Sequence, residues 1–529
     1  EGPRTLLVLD EAQELHSRHT RGVAQLLDEA SGGNSSLLVI SRSPSPFGLP
    51  DGFTEFKLEG LALEHARSLL PSDTDSATAD SVAQALGGHP LALRLWSPEE
   101  DVPERGEAVQ EYVQSTVMHR LSDEGTRTLD EFCIAPSSLR VSELFEAEGS
   151  DELDDSAILR WSGLMAEPHH LIRNVRRGSW SDNQSTELHS QAAGRWASRQ
   201  GARARRMEGH HLVHSGGPDA EWVSENIHAI AEQDSASAAV LLEQALDLSG
   251  DESIREAAAD LALERGEPEI AESHIEGLSE GVGRKLRSAR LARLRGDPRS
   301  AEEMEAGALA EMTPVERTKS AIASLVRRYD DRLPGPIDSG LARELSRGVG
   351  TVDLSSLPEF ERSAGSLALD LIRHGIALGT EDVAAAAEAH DAIESAMGPN
   401  HLQMAILDLR ARLSSRVGGN ASAEALASAH DLIESSDDLT EKTRLIHATL
   451  EATDSHPDWL VEAHASIAYA PLREDLAMHR RLCAQRWYWR GVLEPERRLS
   501  HWNEAISRFR MAECSAAAAD LIGRMARAI

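Results

Sequence analysis

Lysine is nearly missing from this chain. Of 54 basic residues only Lys57, Lys285, Lys319 and Lys442 are lysines, and the rest are arginine. Cysteine is as scarce. Cys133, Cys483 and Cys514 are too few for a disulfide framework and none stands in a Cys-x-x-Cys pair, so a reducing, cytoplasmic setting is expected. Aromatic residues are 4% of the chain, which leaves most of the packing to alanine, leucine and valine. No apolar run approaches the roughly 18 residues of a membrane span, and no signal-peptide pattern opens the sequence. Integral membrane proteins are thereby excluded. Basic charge is short overall: 88 acidic residues against 54 basic give a net charge of −34, which opposes general binding to phosphate backbones.

What is present is a long, core-competent chain. Its 529 residues, 41% hydrophobic, predict three or four domains at about 100–200 residues each. Strong acidity with almost no lysine resembles the proteins of salt-in halophiles, archaeal ones included. The alternative is an ordinary acidic protein from a GC-rich genome, which also favours arginine over lysine. The first residue is Glu1 rather than methionine, and a hydrophobic strand follows almost at once. The expectation is a piece of a longer protein.

Arg4-Thr5-Leu6-Leu7-Val8-Leu9 reads as a buried strand ending in Asp10-Glu11. Helical spacing over 19–31 puts Val23, Leu26 and Leu27 on one face. Leu37–Ile40 reads as a second strand and Thr54–Leu58 as a third, the rhythm of a parallel α/β sheet. Residues 62–96 are helical, interrupted at Pro71-Ser72-Asp73 and at Gly87-Gly88-His89-Pro90. Over 107–200 the pattern predicts helices at Val113–Leu121, Thr126–Cys133, Ser142–Glu146 and Ser156–Gly163. A hairpin is then expected, with arms near Leu171–Val175 and Thr186–His189. Helices ending in a two-stranded hairpin suggest a winged helix. From 201 onward the chain is helical throughout and repetitive. Arg265-Gly266-Glu267-Pro268 returns as Arg295-Gly296-Asp297-Pro298, and the segment 389–395 returns at 429–435, with Gly379 and Gly419 sharing that offset. Periods of this length fit stacked helical hairpins of the tetratricopeptide kind.

Four apolar residues ending in Asp-Glu form a Walker B pattern. A strand end holds two carboxylates beside a phosphate pocket, where Asp10 holds Mg²⁺ through water and Glu11 orients or deprotonates the attacking water. A buried strand that happens to end in an acidic turn is the plain alternative. Ser41-Arg42 after the second strand is placed to sense a γ-phosphate, or Arg42 is a solvated loop residue. Val82–Leu93, containing Gly87-Gly88-His89-Pro90-Leu91-Ala92, resembles the G-x-P-L-A motif of STAND-type signalling NTPases, the group that includes NB-ARC proteins. The order also matches: Walker B, sensor strand, Leu58 and Leu61 in an apolar linker, an alanine-rich helix, then this motif. The resemblance implies that Pro90 packs at the nucleotide base. Glu187-Leu188-His189-Ser190 resembles the M-H-D motif of the same family, which implies that His189 touches the ADP β-phosphate. Here Ser190 replaces the family's acidic residue, and His89 replaces the usual apolar residue before the proline. The resemblance spans about residues 1–200.

No lysine sits in Gly-x-x-x-x-Gly-Lys-[Ser/Thr], the cradle a P-loop requires. The P-loop and the first two strands are expected to precede Glu1 in a longer protein. Other signals have plainer readings. His210-His211-x-x-His214 has the i, i+4 spacing of a metal site but is read as the opening of the first repeat helix. Arg173, Arg176, Arg177, Arg199, Arg203, Arg205 and Arg206 form the basic cluster, the one place through which nucleic acid is conceivable, and are read as ion-paired on an acidic surface. Trp487, Tyr488 and Trp489 are read as core.

The expected architecture is therefore multidomain: the C-terminal half of a P-loop NTPase core (1–60), a helical lid with the G-x-P-L-A-like motif (61–105), a winged-helix domain (106–200) and tetratricopeptide-like repeats (201–529). The resemblance implies an ATP/ADP switch using Mg²⁺, with ATP hydrolysis expected only in the full-length protein. The repeats sense a protein or ligand, self-oligomerisation is conceivable and no membrane is involved. The competing reading is a helical-repeat scaffold or transcription regulator whose NTPase half is degenerate.

Overall fold

A computed structural model describes residues 5–10, 12, 15, 20–31, 35–41, 54–99, 101–102, 109–114, 118–335, 337–398, 422–453 and 456–528. Two compact units divide the chain. One comprises Glu1–Leu129, Arg140–Ser142 and Glu146–Gly178, and the other Asp130–Leu139, Glu143–Phe145 and Ser179–Ile529. Among the described residues no helix is long and apolar enough to cross a membrane, and the three cysteines are buried and outside any disulfide.

The first unit opens with β1 (Thr5–Leu9), α1 (Thr20–Ser31) and β2 (Ser35–Val39). The strands pair in parallel with Leu7 opposite Leu37 and Leu9 opposite Val39. A parallel pair needs a crossover, which α1 supplies. Side chains alternate along a strand, so Leu9, Leu37 and Val39 meet Val23, Ala24 and Leu27 of α1. Leu6, Val8, Leu38 and Ile40 take the opposite parity and are exposed. Thr54–Leu58, expected as a third strand, carries no strand pairing. Phe56 and Leu58 are 83% and 93% exposed, and without a neighbouring ladder an extended segment of five residues has nothing to hold it.

Two helices with contrasting starts follow. For α2 (Ser76–Ala85), Asp75 accepts the N–H groups of Ala77 and Thr78 at 3.0 and 3.1 Å, satisfying donors that no helical turn can reach. For α3 (Pro90–Leu95), Pro90 occupies the first turn, where its missing N–H costs nothing. Farther on lie α4 (Asp123–Ile134), the antiparallel strands β3 (Leu159–Ser162) and β4 (Met165–Pro168), and α5 (His170–Gly178). The hairpin therefore lies 12 residues before its expected first arm at Leu171 (171 − 159). Residues 171–175 and 186–189 are helical instead. Leu171 and Val175 stand four apart and flank buried Ile172 on one helical stripe, and Gly163 (φ 61°) makes the turn between β3 and β4. The helices expected at 142–146 and 156–163 shrink accordingly: the first is a single turn at Val141–Glu143, and the second gives way to β3.

From Ser179 onward the second unit is a run of helices. It begins with α6 (Asp182–Ala197), α7 (Ala202–His214), α8 (Ala220–Ser249), α9 (Glu252–Arg265), α10 (Pro268–Glu276), α11 (Val282–Leu294) and α12 (Pro298–Leu309). It continues with α13 (Pro314–Asp330), α14 (Ser339–Thr351), α15 (Glu359–Thr380), α16 (Val383–Met397) and α17 (Ser422–Ser435). The last five are α18 (Leu439–Ala452), α19 (Asp458–Ile467), α20 (Ala477–Leu493), α21 (Arg498–Met511) and α22 (Ser515–Ala528). The repeated tetrapeptide is the hinge between helices. Gly266 (φ 72°) ends α9 in the left-handed region and Pro268 starts α10, just as Gly296 (φ 82°) and Pro298 separate α11 from α12. The longer repeat is a packing repeat: Ala389 and Ile393 of α16 and Ala429 and Ile433 of α17 are the matching buried positions. Gly419 lies outside the described residues. Tyr488 and Trp489 are core, with Trp487 packed beside them.

Candidate functional site

Of the first unit's candidate residues, Asp10 follows the end of β1, and Ser41 follows the end of the ladder on the β2 side. Ile40 donates its N–H to the Leu9 carbonyl at 2.8 Å, and Ala12 donates to the Ile40 carbonyl at 3.0 Å. These bonds carry the ladder one step past β1 and β2, so Asp10 and Ser41 leave the same edge of the parallel pair. Asp10 is exposed and Ser41 half-buried. Glu11 and Arg42, the expected catalytic and sensing residues, lie outside the described residues.

The glycine turn before Pro90 is built by close approach. Leu61 donates its N–H to the Gly88 carbonyl at 2.8 Å. A Cβ on Gly60 would lie 1.9 Å from the Gly87 carbonyl oxygen, and one on Gly88 would lie 2.3 Å from that of Leu61. Gly87 and Gly88 also hold φ of 59° and 66°, open to glycine at little cost. His89 caps α3, its Nδ1 accepting the Ala92 N–H at 3.3 Å. That bond needs a neutral ring, and burial pushes the His89 pKa down from its usual value. The departure from the family pattern at position 89 thus has a local structural use.

His189 sits in the second unit on α6 and is 7% exposed. Its Nδ1 lies 2.9 Å from Nδ1 of His211 on α7. Its ring centroid lies 5.7 Å from that of His210 and 4.8 Å from that of His214. Burial, with His189 and His214 close by, lowers the His211 pKa to about 3, so this ring is neutral at physiological pH. The structure thus joins two motifs that are separate in the sequence.

Most of the basic cluster is spoken for. Arg203 makes a two-pronged bond to Glu143 at 2.7 and 3.0 Å, Arg206 meets Asp234 at 2.9 Å, Arg205 pairs with Glu208, and Arg173 reaches Glu167 at 3.4 Å. Arg199 lies over the rings of Phe145 and Trp196 at 4.1 and 4.7 Å. Guanidiniums bound in this way are poorly available to phosphates.

An open cavity of about 950 Å³ in the helical unit, lined among others by Glu264, Arg287, Arg290, Glu305, Arg317 and Arg327, escapes sequence reading because α9, α11, α12 and α13 share it. Its charges are compensated: Arg287 bonds Asp260 at 2.7 Å, Arg290 bonds Glu264 at 2.6 Å and Glu513 at 3.0 Å, and Arg327 reaches Glu305 at 3.2 Å.

No protein-family model matches the chain, and no curated protein matches it. Among solved structures, one similar in arrangement is a signal transduction ATPase with numerous domains (STAND) carrying a tetratricopeptide repeat sensor, from Pyrococcus horikoshii. The alignment covers 98% of this chain and 70% of that one, at 13% identity and a TM-score of 0.46.

Proposed function

We propose that this chain belongs to a nucleotide-controlled signalling switch of the STAND type, in which an α/β part handles ATP or ADP with Mg²⁺ and the helical repeats receive a protein or ligand. The observation that carries this reading is the edge where Asp10 and Ser41 emerge together from a parallel pair crossed over by α1. Ligands of open α/β sheets bind outside the carboxyl ends of the strands. An exposed carboxylate there fits Mg²⁺ held through water. The phosphate cradle does not fit any lysine present: Lys285 pairs with Glu311 at 2.6 Å and Lys319 with Glu361 at 2.8 Å, both among repeat helices, while Lys57 and Lys442 lack the flanking glycines. The residues present therefore account for the metal side of a nucleotide site and not for its phosphate loop.

In this reading Asp10 anchors Mg²⁺, Glu11 and Arg42 act on the γ-phosphate side, and Pro90 packs at the base. His189 is the β-phosphate contact that the STAND resemblance implies, and it is buried. The helical repeats receive the protein or ligand. The test is equilibrium binding of Mg-ADP and Mg-ATP to the protein carrying this chain. D10A is expected to weaken Mg-nucleotide binding tenfold or more; equal affinities for D10A and the parent protein overturn the reading. The scaffold reading is favoured by the cavity alone. It expects partner capture by the repeats at the same level with and without ATP, so a pull-down under both conditions separates the two.

A further inference from the structure

The histidine cluster between α6 and α7 has the composition and spacing of a metal centre. One ring nitrogen from each of His189, His210 and His211 lies within 4.8 Å of the other two. The nearest pair, the Nδ1 atoms of His189 and His211, are 2.9 Å apart. Two imidazoles on one tetrahedral Zn²⁺, each about 2.0–2.1 Å from the ion, hold their nitrogens about 3.3 Å apart. The close pair stands a few tenths of an ångström short of that spacing, and the other pairs lie within 4.8 Å. At 2.9 Å the close pair lies within hydrogen-bond distance, and the tautomer of each ring decides which nitrogen donates. A cation needs both lone pairs, which a shift of one proton to Nε2 supplies. At the open end stands His214, exposed, its ring centroid 4.6 Å from that of His210.

We propose that His189, His210 and His211 bind a divalent cation of the zinc class, with His214 at the solvent-facing mouth of the site. The donor set decides the class. Imidazole suits Zn²⁺, Ni²⁺ and Cu²⁺, whereas Mg²⁺ and Ca²⁺ demand oxygen ligands. Neutral imidazole is the ligating form. Such an ion ties α6 to α7 across the four-residue connection 198–201, fixing the start of the helical repeats. His189 is claimed both by this site and by the nucleotide reading, whereas His210 and His211 have no part in the nucleotide reading, so the H210Q titration tests the cation site alone.

The experiment is calorimetric titration of the chelator-stripped chain with Zn²⁺, with Mg²⁺ as control. The expected result is one Zn²⁺ per chain, no measurable Mg²⁺ binding at this site, and an affinity at least 100-fold weaker in H210Q and in H189Q but unchanged in H390Q. The thermal midpoint of the parent chain rises with Zn²⁺, and that of H210Q does not. Half-buried His210 is chosen so that its variant keeps the helical content of the parent, read by circular dichroism. X-ray absorption on the zinc-loaded parent chain needs no variant: three or more imidazole nitrogens around the ion support the site, and an oxygen-only shell overturns it. Absence of saturable one-to-one binding, or H210Q binding like the parent, also overturns it.

Discussion

Asp331 caps a helix that begins 184 residues farther along the chain (515 − 331). Its two carboxylate oxygens accept the N–H groups of Ala516 and Ala517 at 3.0 and 2.9 Å, closing the start of α22 from the end of α13. Burial raises the Asp331 pKa, opposed by these two bonds. D331A is expected to cost about 1–2 kcal/mol, the usual worth of a helix cap. D331N, which keeps one accepting oxygen and sheds the buried charge, should lose less than half of that. Urea melts of the two variants check this, and equal losses would show that the charge rather than the cap is what matters.

Gly491 lies under an indole. A Cβ there would fall 2.1 Å from Cδ1 of Trp502, and Trp502 is not free to retreat. Its Nε1 donates to the Tyr488 carbonyl at 3.1 Å, and its ring stacks on that of Tyr488 at 6.3 Å. G491A is expected to destabilise the C-terminal core by about 1–3 kcal/mol through overpacking, despite alanine's better helix propensity. A G491A melt equal to the parent's, with unchanged tryptophan fluorescence, would contradict the packing described.

His447 of α18 and His464 of α19 form a buried pair with ring centroids 5.9 Å apart. Arg486 and Arg490 of α20 face them, with Glu494 near His464. Burial first, then the neighbouring cations, lowers the His464 pKa to about 4 and that of His447 well below 6.5. The folded pKa lies below the unfolded one, so between them the unfolded chain binds more protons and stability falls as pH falls. The contribution is complete above about pH 6.5 and declines toward pH 4, by up to about 1.4 kcal/mol per pH unit for each ring. Urea midpoints at pH 7.5 and 5.0 read this, and H447L should flatten the slope. A parent midpoint that does not move between those pH values rules the effect out.

The strands and hinges were legible for local reasons. Leu6–Leu9 and Leu37–Val39 are short apolar runs flanked by polar turns, and Gly266 with Pro268 is a stop and a start in adjacent positions. The β3–β4 hairpin was not, because Arg160, Trp161 and Ser162 are exposed and give no alternation to read. Leu171, Ile172 and Val175, by contrast, have strand-like composition on a helical stripe. The histidine site failed to declare itself for another reason. The i, i+4 pair His210 and His214 is visible in sequence, but His189 joins it only because α6 turns back along α7. Conversely, the exposed parity set Leu6, Val8, Leu38 and Ile40 shows that a strand read as buried is covered on one face only among the described residues.

Charge supplies the last prediction. The chain carries 88 acidic side chains against 54 basic. Its arginines are widely paired, as in Arg295 with Glu272 at 2.7 Å and Arg287 with Asp260 at 2.7 Å. Salt weakens both these attractions and the repulsion among the unpaired carboxylates. Exposed pairs are individually worth about 0–1 kcal/mol, so their loss to screening is small. The repulsion is collective, arising from a net charge of −34, and it acts over a Debye length that shrinks from about 30 Å at 0.01 M to about 3 Å at 1 M. The second effect outweighs the first, and the thermal midpoint should climb steadily between 0.05 and 1 M KCl. Raising KCl further should add little, since by 1 M the screening length is already shorter than most separations between carboxylates. A midpoint that is flat or falling over the first interval would mean that the arginine pairs, not the excess acid, dominate the surface energetics.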